Sequence, residues 1–211
     1  IVANEFFDAL PVYQLVRRAD AWHERLVACQ DTIFLPIAGK PVPGEIVPEA
    51  LRDAPAGSII ESSPASVAVV RALAKRLADQ GGAALIVDYG YEGPALGETL
   101  QAVKGHGFAN PFEAPGEQDL TAHVDFIALA RAAQPLCATS AITPQGRFLE
   151  HLGITPRAQS LAPRLSGPAL ESHIAAHRRL THPDEMGSLF KVLGLTPHFA
   201  PPFPGLIPDH S

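Results

Sequence analysis

Two stretches of the chain read as strands buried on both faces. Ile1-Val2-Ala3 is a short apolar run that ends on the polar pair Asn4-Glu5, and Pro11 limits whatever follows it. Ala83 to Gly90 is a continuous apolar run broken only by Asp88 and Tyr89 at its far end. Between them Ser63-Pro64 opens a helix, the serine as N-cap and the proline in the first turn. The apolar stripe Val67, Val70, Leu73, Ala74 and Leu77 continues it at helical spacing, and Gly81-Gly82 stops it. Helix, glycine stop and buried strand form half of a parallel αβ unit, so the fold class is α/β.

The text around this unit has a different texture. Val12 to Arg18 alternates apolar and polar, and Trp22–Cys29 and Thr32–Leu35 follow at hairpin spacing. That predicts an inserted antiparallel meander over residues 12–57. Its second half, marked by Pro36, Pro41, Pro43, Pro48 and Pro55, is a loop with at most one short helix over 48–52. Residues 105–118 read as a glycine- and proline-rich loop. Asp119 or Thr121 then caps a helix whose face is Phe126, Leu129, Ala130 and Ala133. Shorter helices are predicted near 145–152, 168–180 and 184–194. A proline-rich tail over 196–211 is expected to be extended, leaving 1–195 as the folded portion.

Composition narrows the picture. The 211 residues are 46% hydrophobic, enough for a real core, and carry a formal net charge of −6 with a pI near 5.8. An acidic chain is a poor nonspecific binder of nucleic acid or anionic membrane. No apolar run of membrane-spanning length occurs, so neither membrane insertion nor a nucleic-acid partner is expected. Cys29 and Cys137 cannot build a disulfide framework, which suits a reducing compartment. The opening Ile1-Val2-Ala3-Asn4 reads as the middle of a fold, so a C-terminal fragment is expected.

Candidate chemistry gathers at the strand ends, where ligands of parallel sheets bind. Asn4, Glu5 and Asp8 supply an amide and two carboxylates at the first; Asp88 and Tyr89 close the second. His123, placed in a first helical turn, is a candidate base or donor. His173 and His177 stand one turn apart, with His182 beyond and Glu171 as the near acid; a solvated helix face explains them better than zinc, and no metal site is expected. No GxGxxG phosphate loop, GxSxG elbow or CxxC pair is present.

Three blocks together resemble the MidA-type family: Asn-Glu-Phe-Phe-Asp-Ala-Leu-Pro at 4–11, Leu-Ile-Val-Asp-Tyr-Gly-Tyr at 85–91 with Thr99-Leu100-Gln101, and Asp-Leu-Thr-Ala-His-Val-Asp-Phe at 119–126. The hairpin at 22–27 and a helix over 185–193 also fit. The resemblance implies an S-adenosylmethionine-dependent methyltransferase with a Rossmann-like sheet, of which 1–5 and 83–90 would be the fourth and fifth strands. The family's glycine-rich cofactor loop belongs to the first two strands, which this chain lacks, so the fragment alone is expected to be inactive. It further implies a protein arginine as methyl acceptor, on a respiratory complex I subunit. The compartment would be a bacterial cytoplasm or, alternatively, the mitochondrial matrix. On this reading Glu5 and Asp8 polarise the guanidinium, His123 takes a proton or holds the substrate, Asn4 meets the cofactor, and Asp88 and Tyr89 wall the substrate. Alternatives are an assembly factor without catalysis and a methyltransferase for a small cation. One edge of strand 1–5 should be open to association, a second copy of the chain included.

Overall fold

The structure is a computed structural model that describes residues 1–207 except 106 and 202. In chain order β1 (Val2–Asn4) leads into an antiparallel block of β2 (Tyr13–Arg17), β3 (Trp22–Gln30), β4 (Ile33–Pro41) and β5 (Ile59–Ser62). Then come α1 (Pro64–Gln80), β6 (Ala84–Tyr91), β7 (Gln101–Lys104), β8 (Gly107–Ala109), β9 (Asp119–Thr121) and β10 (Val124–Asp125). The remainder is α2 (Phe126–Ala133), β11 (Ala138–Thr139), β12 (Thr143–Pro144), α3 (Gln145–His151), α4 (Ile154–Leu161), α5 (Gly167–Thr181) and β13 (Phe190–Thr196).

β6 is the spine of the main sheet. β1 lies parallel to it, with Ala3 opposite Ile86, and β13 runs antiparallel on the other side, with Val192 opposite Val87. Alternation along β6 feeds two cores. Ala84 and Ile86 meet Val70, Ala74 and Leu77 of α1, Phe126 and Leu129 of α2, and Leu193 and Leu195 of β13. Leu85 and Val87 face the opposite way, toward Phe148 of α3, Val192, Phe203 and Leu206. Helices therefore cover both faces, as a mostly buried strand requires. Gly90 is where β10 closes against β6: a side chain there would meet the Val124 carbonyl at 2.2 Å. Among the described residues β1 pairs with β6 alone, leaving Ile1 and Val2 exposed on the open edge that the sequence predicts.

The antiparallel block forms its own sheet in the order β4-β3-β2-β5, with a small core of Trp22, Val47 and Ile60. Here the sequence reading needs correction. The second hairpin strand does not stop near Leu35 but continues through Pro36 to Pro41. β4 is the edge of the sheet, where a missing N–H costs no ladder bond, so its prolines are tolerated. Two short 3₁₀ turns, Gly44–Ile46 and Glu49–Leu51, follow it. The strand β5 was not anticipated, because four residues of mixed character before a helix cap carry little periodicity.

Three further expectations fail for identifiable reasons. No helix spans 184–194: a single turn over Pro183–Gly187 is followed by β13. Phe190, Val192, Leu193 and Leu195 are all buried, and a strand covered on both faces shows the same unbroken apolarity as a buried helix. Asp119 and Thr121 do not cap a helix but belong to β9; Asp125 caps α2, accepting from the Ala128 N–H at 3.0 Å. The stretch 105–118 contains β8, which with β7 and β9 makes a third small sheet. The helix α4 went unpredicted. The tail over 196–211 lies partly outside the described residues; within them Leu206 is buried and the Ala141 N–H donates to the Ile207 carbonyl.

Candidate active site

The carboxyl ends of β1 and β6 meet at one rim, and the chain leaving β1 folds over the end of β6. Asp88, the last core-facing acid of β6, holds that fold together. One of its oxygens accepts from the backbone N–H groups of Phe6, Phe7 and Asp8 at 3.1, 3.0 and 3.3 Å, and the other accepts from Tyr89 N–H at 3.0 Å. The loop these bonds shape starts at Glu5, whose φ of 47° lies in the left-handed region that non-glycine residues rarely enter. Asp88 is 0% exposed, so it does not wall a substrate; it works from beneath the loop. Burial, reinforced by the neighbouring Asp8 carboxylate, pushes its carboxyl up to about 7 against the pull of the N–H donors.

Asp8 is the second buried acid, 6% exposed. Its Oδ2 accepts from the Tyr89 hydroxyl, and its Oδ1 is buried with no partner among the described residues. Burial and this carboxylate together hold the Tyr89 hydroxyl well above its usual range, so the phenol keeps its proton and donates it to Asp8. The Tyr89 ring meets His123 and Phe190 edge-on, each at 5.5 Å between centroids. His123 does not sit in a helix: it precedes β10, with its backbone N–H bonded to the Thr99 hydroxyl at 2.8 Å. Burial lowers its imidazole pKa below the ordinary value, against a weaker opposite pull from Glu61.

Asp8, Asp88, Tyr89 and His123 thus form one cluster. Asn4 and Glu5 adjoin it on the exposed side, where the Asn4 amide donates to the Glu5 carboxylate at 3.2 Å. His173 and His177 lie elsewhere, bonded to the Ala158 carbonyl and the Thr155 hydroxyl between α4 and α5. Among the described residues no group of three or more His, Cys, Asp or Glu could hold a metal ion, and no helix is long and apolar enough to cross a membrane.

The structure adds a residue that the sequence reading missed. Glu61, at the end of β5, is 7% exposed and accepts from Gln14 Nε2 at 2.7 Å, from the Thr99 and Leu100 N–H groups at 3.1 Å each, and from the Thr99 hydroxyl. Thr99 passes the connection on to His123. The available signal was an acid directly after Ile59-Ile60 and two residues before a helix cap: a charge within a buried strand needs a reason.

Comparison with known proteins decides the lineage. Residues 1–144 match the family described as "Putative S-adenosyl-L-methionine-dependent methyltransferase". The chain belongs to that family. It is similar to the mitochondrial protein arginine methyltransferase NDUFAF7 of Rattus norvegicus, at 34% identity, and of Homo sapiens, at 32%; each match covers 93% of this chain and 45% of the relative. It therefore spans about half the length of these relatives. Two crystal structures from Burkholderia thailandensis superpose with TM-scores of 0.85 and 0.83 at 30% and 31% identity. They cover 99% and 97% of this chain, and 58% and 55% of the bacterial chains; the second holds S-adenosyl-homocysteine. The MidA-type resemblance and the Rossmann-like expectation both hold.

Proposed function

We propose that this chain forms the acceptor side of an S-adenosylmethionine-dependent protein arginine methyltransferase. The observation that carries the reading is Asp8 Oδ1, a buried carboxylate oxygen without a partner at the joint tip of β1 and β6. A guanidinium is a weak nucleophile until a lone pair localises on one nitrogen, and a carboxylate bonded to its other N–H groups favours that state while fixing its orientation. Asp8 would accept such an N–H through Oδ1, with Tyr89 holding the other oxygen still. Glu5, exposed at the mouth, would take a second N–H. His123, with its lowered pKa, would accept a proton or a substrate hydrogen bond.

Among the described residues no glycine-rich turn leads from a strand end into a helix, so they form no amide cradle for the cofactor; Asn4, exposed at the tip of β1, would meet it from one side. When bound, S-adenosylmethionine supplies the methyl group on a positively charged sulfur. The chain's own part is to align the acceptor nitrogen, and alignment is worth several kcal/mol. The names of the NDUFAF7 relatives support arginine as the acceptor, and the resemblance adds a complex I subunit as its carrier.

Substituting Asp8→Asn in the intact protein tests the reading, with radiolabelled cofactor and an arginine-bearing peptide. Methyl transfer should fall about 100-fold while cofactor affinity holds. Unchanged turnover would remove Asp8 from the scheme. One observation favours a second reading, a partner-gripping factor: Leu26, Ile33, Leu35 and Ile37 share one face of the β3–β4 hairpin and are 40–60% exposed. Stable partner capture by the cofactor-free protein, with no methyl transfer, would favour it.

A further inference from the structure

Beside the strand-tip cluster, and sharing His123 with it, lies a cavity of about 200 Å³. Its walls are Glu61, Tyr91, Leu96, Gly97, Thr99 and His123. Three features of this wall set what it can hold. First, Glu61 has no cationic partner among the described residues: Oε1 accepts from Gln14 and from the Thr99 and Leu100 N–H groups, and Oε2 from the Thr99 hydroxyl, all of them neutral donors. The nearby Arg25 is engaged by Glu98 and by Gln14. A buried carboxylate bonded only to neutral dipoles projects a negative potential into the space beside it.

Second, the two side chains free to meet an occupant are aromatic. Neither the Tyr91 hydroxyl nor the His123 ring nitrogens make a hydrogen bond among the described residues. Their rings offer π faces, and His123 offers a nitrogen acceptor. Third, the charge reaches these groups: Tyr91 is pushed up to about 12, first by burial and then by Asp125 and Glu61. A carboxylate bonded to neutral donors behind two aromatic groups without hydrogen-bond partners among the described residues suits a ligand that is positive, flat or slender, and rich in N–H donors.

We propose that this cavity is a binding compartment for a cationic substrate side chain flanking the acceptor arginine, a guanidinium or an ammonium, held between Tyr91 and His123 and selected by the charge of Glu61. It deepens the methyltransferase reading and rests on it. Tyr91 and His123 are the contacting residues. Glu61 acts through Thr99 and through its field, so it is a positioning residue.

The test is a binding titration of the intact protein followed by NMR at the His123 and Tyr91 rings. The probes are N-acetyl-arginine amide, N-acetyl-lysine amide and the neutral isostere N-acetyl-citrulline amide. The arginine or lysine probe should move both ring signals and bind about tenfold tighter than citrulline, the difference expected of a charge-assisted contact. Glu61→Gln should bring the charged probe down to the citrulline level, and Tyr91→Leu, which removes the ring face, should weaken it several-fold. The Tyr91 hydroxyl makes no hydrogen bond among the described residues, so that second variant decides the matter even if the first fails to fold. Equal binding of citrulline and arginine, or ring signals that none of the probes moves, would overturn the proposal. These readouts need neither cofactor nor methyl transfer. Charge-selective binding without turnover would therefore count against the methyltransferase reading alone, and turnover without charge-selective binding against this compartment alone.

Discussion

Two buried carboxylates, Asp88 and Glu61, shape this rim by the same means in different parts of the molecule. Each accepts four hydrogen bonds and each gathers backbone N–H groups from a segment with no regular partner of its own: Phe6 to Asp8 for Asp88, Thr99 and Leu100 for Glu61. Their surroundings differ. Asp88 stands in the main sheet, fully buried, with the Asp8 carboxylate as its charged neighbour and a left-handed residue in the loop it restrains. Glu61 belongs to the inserted sheet and ties it to the Thr99 segment, which is only half-buried. An acid in a folded interior can thus serve as a splint for backbone, and what the splint is worth depends on whether water can replace it.

That dependence orders the outcomes of truncation. Asp88→Ala would leave the N–H groups of Phe7 and Asp8 orphaned in a dry site, and the left-handed turn at Glu5 would lose what restrains it. A loss of about 3–5 kcal/mol is expected, read from urea unfolding, with faster hydrogen exchange across 6–8. Glu61→Ala orphans as many donors, yet solvent can reach Thr99 and Leu100, so about 2 kcal/mol is expected, with exchange rising at 99–100 and at the His123 amide. If the two variants lose equal stability, burial is not what separates the two sites.

Legibility along the chain follows the same physics. The helix α1 and the strand β6 could be read directly, because a capped stripe and a terminated apolar run each have few alternatives. Asp8, Asp88 and Tyr89 were legible as neighbours because strand ends expose groups, and the two strands proved adjacent. The role of Asp88 was not legible: a surface acid and a buried splint are written with the same letter, and only the fold over it tells them apart. β13 was misread as helix because full burial erases the period of two. Glu61 was missed because its partners, Gln14, Thr99 and Leu100, are 38 to 47 residues away. No local window contains that relation.

The smallest expected effect separates the two acids by charge. The Asp88 carboxyl is raised to about 7 in the fold, against an unfolded value near 4. The native state therefore binds the extra proton between roughly pH 4 and 7, and by linkage the Asp88 contribution to stability is fully present below that window and lost as pH rises through it. In Asp88→Asn the side chain no longer titrates, so this slope should vanish. The wild-type stability relative to the variant should then fall between pH 5 and pH 6 by about 1 kcal/mol, because over that interval the folded carboxyl holds a proton that the unfolded one has lost. Paired urea midpoints at the two pH values measure it. A difference that stays constant across the range would mean that Asp88 remains ionised throughout, with the N–H donors outweighing both burial and the repulsion from Asp8.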